Sequence, residues 1–169
     1  YDMSRYRQAE SFYDRASNTF QAYGCPASGA TVYDGWGMLS MSVGKYTDSA
    51  ERYIQAARQW ENLIKEDPSQ FRNRDKAGLA YIRAGKAKEA DGDYPGALEL
   101  MRSHGLFQLR NYAYATKSYE LLVKSLITFS VFVRERMGEP KDAIALLNEA
   151  RGRASLQGDH LLMARVYEE

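Results

Sequence analysis

Apolar residues recur at helical spacing along the whole chain. Tyr6, Ala9, Tyr13, Ala16, Phe20 and Tyr23 are separated by gaps of three and four, which puts all six on one helix face. Ser4 is expected to cap this helix, and Gly24-Cys25-Pro26 to end it. A second helix is expected over residues 28–43, capped by Ser28, interrupted by Gly35 and Gly37, and stopped by Gly44. A third, from Thr47 or Asp48 to residue 65, carries Tyr53, Ala56, Trp60, Leu63 and Ile64 on its apolar face, and Asp67-Pro68-Ser69 stops it. A fourth spans 70–90. A shorter fifth starts at Tyr94, with Pro95 in the first turn where its missing N–H costs nothing, and frays near Gly105. A long sixth, 111–137, is apolar on most sides in its second half and is expected inside the fold. Gly138 and Pro140 precede a seventh, 141–157, and Gly158-Asp159 an eighth, 160–169, with Leu161, Leu162, Ala164, Val166 and Tyr167. No segment reads as a strand, so the fold class is all-α.

The pattern also repeats at long range. Three junctions align: Gly44-Lys45-Tyr46, Gly92-Asp93-Tyr94 and Gly138-Glu139-Pro140, spaced 48 and 46 residues apart. Five residues after each glycine stands a small residue, Ser49, Ala97 or Ala143, and nine after it a larger one, Tyr53, Met101 or Leu147. Seven residues before the first two junction glycines stand Gly37 and Gly85, each four residues after an aromatic, Tyr33 and Tyr81. Glycine and a small residue twelve apart leave room where two antiparallel helices approach. Tyr33, Tyr53, Tyr81 and Met101 then fill the space around that contact. One such pair cannot bury its apolar face alone, so pairs must stack.

Those residues resemble the tetratricopeptide repeat, with its aromatic-x-x-L-G pattern followed by Ala-x-x-x-aromatic. One unit reads Tyr33-x-x-Trp36-Gly37, Tyr46, Ser49-x-x-x-Tyr53; another reads Tyr81-x-x-Ala84-Gly85, Tyr94, Ala97-x-x-x-Met101. The period is longer than the family's, the fourth unit has Val131 in place of the first-helix glycine, and the first unit lacks its first helix. Long-helix arrays of this kind are similar to the soluble NSF-attachment proteins and to polarity scaffolds, and the residues single out neither. The resemblance implies antiparallel helix pairs stacked as a right-handed α-solenoid. One domain over residues 1–169 divides into units of about 1–27, 28–68, 69–110 and 111–158 with a partial unit at 159–169. The chain starts at Tyr1 and cuts into a repeat at each end, so a fragment of a longer array is expected.

Composition narrows the functional classes. Among 169 residues, 23 basic and 22 acidic side chains leave a net charge of +1, without the basic excess of a dedicated nucleic-acid binder or a polybasic membrane anchor. No apolar run reaches the ~20 residues of a membrane span. The nearest, residues 121–133, is interrupted by Lys124. A single cysteine, Cys25, makes no internal disulfide. His104 and His160 belong to no catalytic or metal-ligand spacing and read as capping or surface residues near helix ends. Glu66-Asp67 and Asp91-Asp93 read as caps and solvated turns. Neither an enzyme nor a cofactor or metal site is expected. Of the 13 tyrosines, Tyr6, Tyr13, Tyr33, Tyr46, Tyr53, Tyr81 and Tyr94 fall at aromatic positions of the repeat, so they are packing residues.

The resemblance implies a cytoplasmic protein–protein interaction scaffold or adaptor that holds a peptide or partner helix in a concave groove lined by the first helix of each pair. Its groove positions carry over to Asp34, Met38 and Met41 in one unit, to Ile82, Arg83, Lys86 and Glu89 in the next, and to Thr128, Phe132, Glu135 and Arg136 in the degenerate one. The family's carboxylate clamp is disfavoured, since Gly35 stands where its asparagine belongs. Arg72, Arg74, Lys76, Arg83, Lys86 and Lys88 outnumber Asp75, Glu89 and Asp91 on the fourth helix, which suits an acidic or amphipathic partner. Methionines suit adaptable contacts, and Arg83 and Arg136 suit bidentate pairing with carboxylates. The alternatives are a structural segment that packs on its own parent protein or self-associates, or an adaptor of the vesicle-fusion type.

Overall fold

The computed structural model describes residues 3–168. Tyr1, Asp2 and Glu169, the last of which the periodicity assigns to the final helix, lie outside the described residues. Among the described residues the chain is all-helical, without a strand. The helices are α1 (Met3–Ala22), α2 (Pro26–Ser42), α3 (Tyr46–Glu66), α4 (Arg72–Ala90), α5 (Tyr94–Glu99), α6 (Leu106–Thr116), α7 (Glu120–Phe132), α8 (Pro140–Gln157) and α9 (His160–Glu168). A π-helical segment, Leu100–Gly105, joins α5 and α6 into one rod, and a second, Val133–Met137, extends α7.

Repeated turn chemistry reverses the chain between rods. Gly24, Gly44, Gly92, Gly138 and Gly158 all have φ between 63° and 83°, a left-handed conformation in which a Cβ is strained. After four of them the next residue takes one shared conformation, with ψ of 69° at Cys25, 71° at Lys45 and 73° at Asp93 and Glu139. A new helix then opens on Pro26, Tyr46, Tyr94 or Pro140, where a proline's missing N–H is no loss. Asp93 additionally caps α5 by accepting from the Gly96 N–H at 3.0 Å.

Short turns and packing between consecutive rods make antiparallel hairpins, and side chains link alternate rods into two rows. In one row, Arg83 of α4 bonds Asp34 of α2 at 2.6 and 2.5 Å, and Arg136 beyond α7 bonds Glu89 of α4 at 3.0 Å. In the other, Gln108 of α6 donates to Glu61 of α3 at 3.3 Å, and Arg110 of α6 makes a two-pronged bond to Glu149 of α8 at 2.9 and 2.7 Å.

Small residues set how closely the rods approach. A Cβ on Gly37 would lie 2.9 Å from the Tyr53 ring, and the Ser49 hydroxyl donates to the Gly37 carbonyl at 2.8 Å across the same contact. Gly85 is covered in the same way by Met101 and the Ala97 carbonyl. The register of Gly37 with Ser49 and Tyr53, and of Gly85 with Ala97 and Met101, is therefore present as contact. Ala56 and Ala57 of α3 meet Ala80 and Tyr81 of α4 in one small cluster, and Trp60 and Ile64 meet Ala30 and Ala77 in another. The largest core cluster runs from Ile82 to Val166 and centres on Met101, Leu106, Leu109, Leu126 and Phe129. Each large side chain sealed there contributes roughly 1.5–3 kcal/mol of burial.

The structure moves several expected boundaries. The fifth rod does not fray at Gly105 but continues to Thr116, and the break falls at residues 117–119 instead of before 111. Gly105 is a contact glycine: its added Cβ would meet Ile82 at 2.8 Å, and a Cβ on Gly78 would meet the Gly105 carbonyl at 3.0 Å. The turn at 117–119 uses Lys117 in the left-handed conformation, with φ of 60°. Ser28 lies inside α2, which opens at Pro26, and Thr47 lies inside α3, where its hydroxyl donates to Asp91 at 2.9 Å.

Candidate functional site

The row formed by α2, α4 and α7 presents most of the residues singled out for a groove. The α2 and α4 helices are bridged by long side chains, and between them lies a cavity of about 220 Å³. Thr31, Asp34, Lys76, Leu79 and Arg83 line it, with Trp60 of α3 beneath. The Lys76 ammonium sits 4.3 Å above the Trp60 ring, a cation–π contact. Met38 stands beside this cavity's row, 56% exposed, and Met41 is half-buried.

Helical geometry sorts the basic stretch of α4. Arg72, Lys76, Arg83 and Lys86 are spaced by 4, 7 and 3 and share one face. Arg74 points the other way and donates to Gln108 at 3.4 Å, while Lys88 pairs with Asp93 at 2.9 Å. The single patch of the linear sequence thus reduces to four cations on the α2–α4–α7 side. Asp75 lies on α4 between these faces, and burial pushes its carboxyl up from the usual carboxylate range.

The remaining groove candidates divide. Arg83 and Arg136 already have carboxylate partners, Asp34 and Glu89, so four of the named residues form two internal ion pairs. Lys86 and Glu135 are exposed, and Thr128 is half-buried on the same row. Ile82 and Phe132 belong to the core instead. Phe132 is 2% exposed, stacked 6.1 Å from Phe129 and edge-on to Tyr94 at 6.4 Å. The α7 helix is apolar on most sides, and its packing turns Phe132 inward.

The residues expected to pack the repeat differ in burial. Gly37, Ser49, Tyr53, Tyr81, Gly85, Ala97, Met101 and Ala143 are buried, and Tyr33, Tyr46 and Leu147 are partly so. Tyr94 stays at the surface as the first residue of α5. Tyr33 and Tyr13 both stack on Trp36, at 6.4 and 6.3 Å, with the Arg52 guanidinium 3.7 Å over its ring. Gly35 accommodates Tyr13: a Cβ there would come within 3.0 Å of its hydroxyl. Burial pushes the Tyr53 hydroxyl up to about 12, and burial with a 2.9 Å bond to Glu61 raises Tyr81 further.

The candidate chemical groups do not converge. Cys25 is an exposed thiol in the α1–α2 turn. His104 is not at a helix end but within the first π segment, stacked on Tyr81 at 4.8 Å. His160 opens α9, next to Asp159, whose carboxylate caps Leu161 and Leu162 at 3.0 Å each. Asp67 accepts from Ser69 and Gln70, and those bonds hold its carboxyl below the usual range. Among the described residues no helix is long and apolar enough to cross a membrane.

The ion pairs across the row were missed from the sequence, although a signal was present. Asp34 and Arg83 are 49 residues apart, and Glu89 and Arg136 are 47 apart. Opposite charges one repeat period apart mark neighbouring helices of the same row. No family model, curated protein or solved structure matches the chain.

Proposed function

We propose that this chain is a tetratricopeptide-like, right-handed solenoid segment that acts as a protein-interaction scaffold. Its α2–α4–α7 row takes an acidic, amphipathic segment of a partner protein. The observation that carries this reading is the row itself. Arg83–Asp34 and Arg136–Glu89 tie three first helices side by side, and the open cavity between α2 and α4 combines cations with an apolar floor at Trp60. Arg83 and Arg136 hold the row together, which leaves Arg72, Lys76 and Lys86 as the cations for a ligand's carboxylates, with Met38 as an adaptable apolar contact.

The test is titration of the whole chain with a fluorescent 14-residue peptide of leucine and glutamate, read by anisotropy. Saturable binding that weakens with added salt, and that falls at least tenfold in the Lys76→Glu/Lys86→Glu variant, supports the reading. Unchanged affinity in that variant removes it.

A second reading has its own observation. Leu156, Leu161 and Tyr167 are each 65–70% exposed on the α8–α9 hairpin, which favours association of one copy with another through that end. Light scattering over a hundredfold range of concentration separates the two, because a constant monomer mass excludes self-association.

A further inference from the structure

A second cavity, of about 290 Å³, lies on the other row, between the α5–α6 rod and α8, with α7 as its floor. Leu98 and Leu146, both half-buried, make its apolar walls, and the core residues Leu106, Phe129 and Val133, each no more than 2% exposed, close its base. The two second helices meet at one end, where Arg110 clasps Glu149 and Arg153 bonds the Tyr114 hydroxyl. They part toward Leu98 and Arg102 on one wall and Asp142 and Ala145 on the other. Both π-helical segments border this space, one through Arg102 and the other through Val133. A π turn inserts a residue into a helix and displaces its wall, and such turns recur at functional sites. Here the first π turn ends at Gly105, whose backbone lies close against Gly78 of α4. That contact seats the rod on α4, and the space opens on the rod's other side, toward α8.

The charges at the mouth are unequal. Arg110 and Glu149 satisfy each other, so they offer a ligand no net charge. Glu139 and Asp142 are exposed at the start of α8 and form no ion pair among the described residues, and neither does Arg102 on the facing wall. Two free carboxylates against one free guanidinium leave an anionic mouth over an apolar floor. An apolar side chain entering this cleft is best accompanied by a cation.

We propose that the cleft is a binding site for a peptide segment that inserts an aliphatic side chain between α5–α6 and α8 and places a neighbouring lysine or arginine against Glu139 and Asp142. The site lies on the opposite row from the α2–α4–α7 face and selects the opposite ligand charge, so it does not rest on that reading. The experiment is a methyl-resolved NMR titration of the whole chain, labelled at leucine and valine. The probe is a 14-residue amphipathic peptide of leucine and lysine, with the leucine–glutamate peptide as comparison. The expected result is saturable shifts at Leu98, Leu106, Val133 and Leu146 with the lysine peptide, and an affinity at least tenfold weaker in Glu139→Lys/Asp142→Lys. Ala145→Trp, at an exposed position on the cleft wall, blocks the cleft without touching the core and is expected to abolish those shifts. The proposal is overturned by any of three results: no saturable shift at those methyls, equal affinity for the two peptides, or lysine-peptide binding that survives Ala145→Trp.

Discussion

Adding one methyl group at Gly37 tests the packing that the whole arrangement depends on. A Cβ there would stand 2.9 Å from two carbons of the Tyr53 ring and 3.0 Å from a third. Ordinary carbon–carbon contact is about 3.5–4.0 Å, so α2 and α3 must separate locally by roughly 0.6 Å or more. The ring has little room to retreat, being 4% exposed, and the Ser49 bond to the Gly37 carbonyl pins the two helices at the same point. Overpacking of this kind costs about 1–3 kcal/mol. Alanine's higher helix propensity returns about 1 kcal/mol, so Gly37→Ala should gain no stability and should destabilise by up to roughly 2 kcal/mol net. Gly152, inside α8 with nothing within 4 Å of its added Cβ, supplies the control. Gly152→Ala should stabilise by up to about 1 kcal/mol, because only the propensity gain remains. Urea unfolding followed by circular dichroism measures both. Combining Gly37→Ala with Tyr53→Leu should show a favourable coupling of about 1 kcal/mol, since the smaller side chain relieves the clash. If Gly37→Ala stabilises as Gly152→Ala does, the close approach of α2 and α3 at this point is wrong, and the repeat register with it.

Further outcomes follow from other residues. Lys117 occupies a left-handed position that glycine fills in five other turns, so Lys117→Gly should raise stability by about 0.5–1 kcal/mol in the same urea assay. Phe132→Ala should cost about 3–5 kcal/mol of stability, because the ring is a core element, and leave the affinity of the refolded protein for the acidic peptide unchanged. Tyr53 and Tyr81 should remain protonated in an absorbance titration carried past pH 10, the ordinary range for a tyrosine hydroxyl, because burial pushes both up. Their folded-state pKa lies above the unfolded value of about 10, so the stability they contribute is complete below pH 10. It is lost as pH rises toward 12, since only the unfolded chain releases these protons there.

The sequence was most readable where one residue type has one structural use. Glycine at a helix end marks a left-handed cap, and on that ground Gly44, Gly92, Gly138 and Gly158 read as helix ends. Glycine paired twelve residues from a small side chain marks a close crossing, which identified Gly37 and Gly85. Gly105 fitted neither pattern and was read as a frayed end, although it serves a crossing with Gly78. The next real turn went unseen because Lys117, not glycine, adopts the left-handed conformation, and the two errors together displaced one helix boundary. On the candidate face, Asp34 and Met38 of α2 and Arg83 and Lys86 of α4 lie at the surface or half-buried, whereas Ile82, beside Arg83 on α4, is a core residue that its sequence neighbourhood did not reveal. The α7 helix has almost no polar side in its second half, so periodicity could not say which side faces out, and Phe132 was assigned to the groove when it belongs to the core. The partnering of Arg83 and Arg136 was hidden for another reason. Charge counts along one helix do not show that a carboxylate on the neighbouring helix has already neutralised a cation.

The interaction surface is tested most directly by an amide-resolved NMR titration of the whole chain with the leucine–glutamate peptide. The account predicts saturable shifts confined to α2, α4 and α7, strongest around Met38, Lys76, Lys86 and Thr128. Shifts confined to α5, α6 and α8, or none at millimolar peptide, would contradict it.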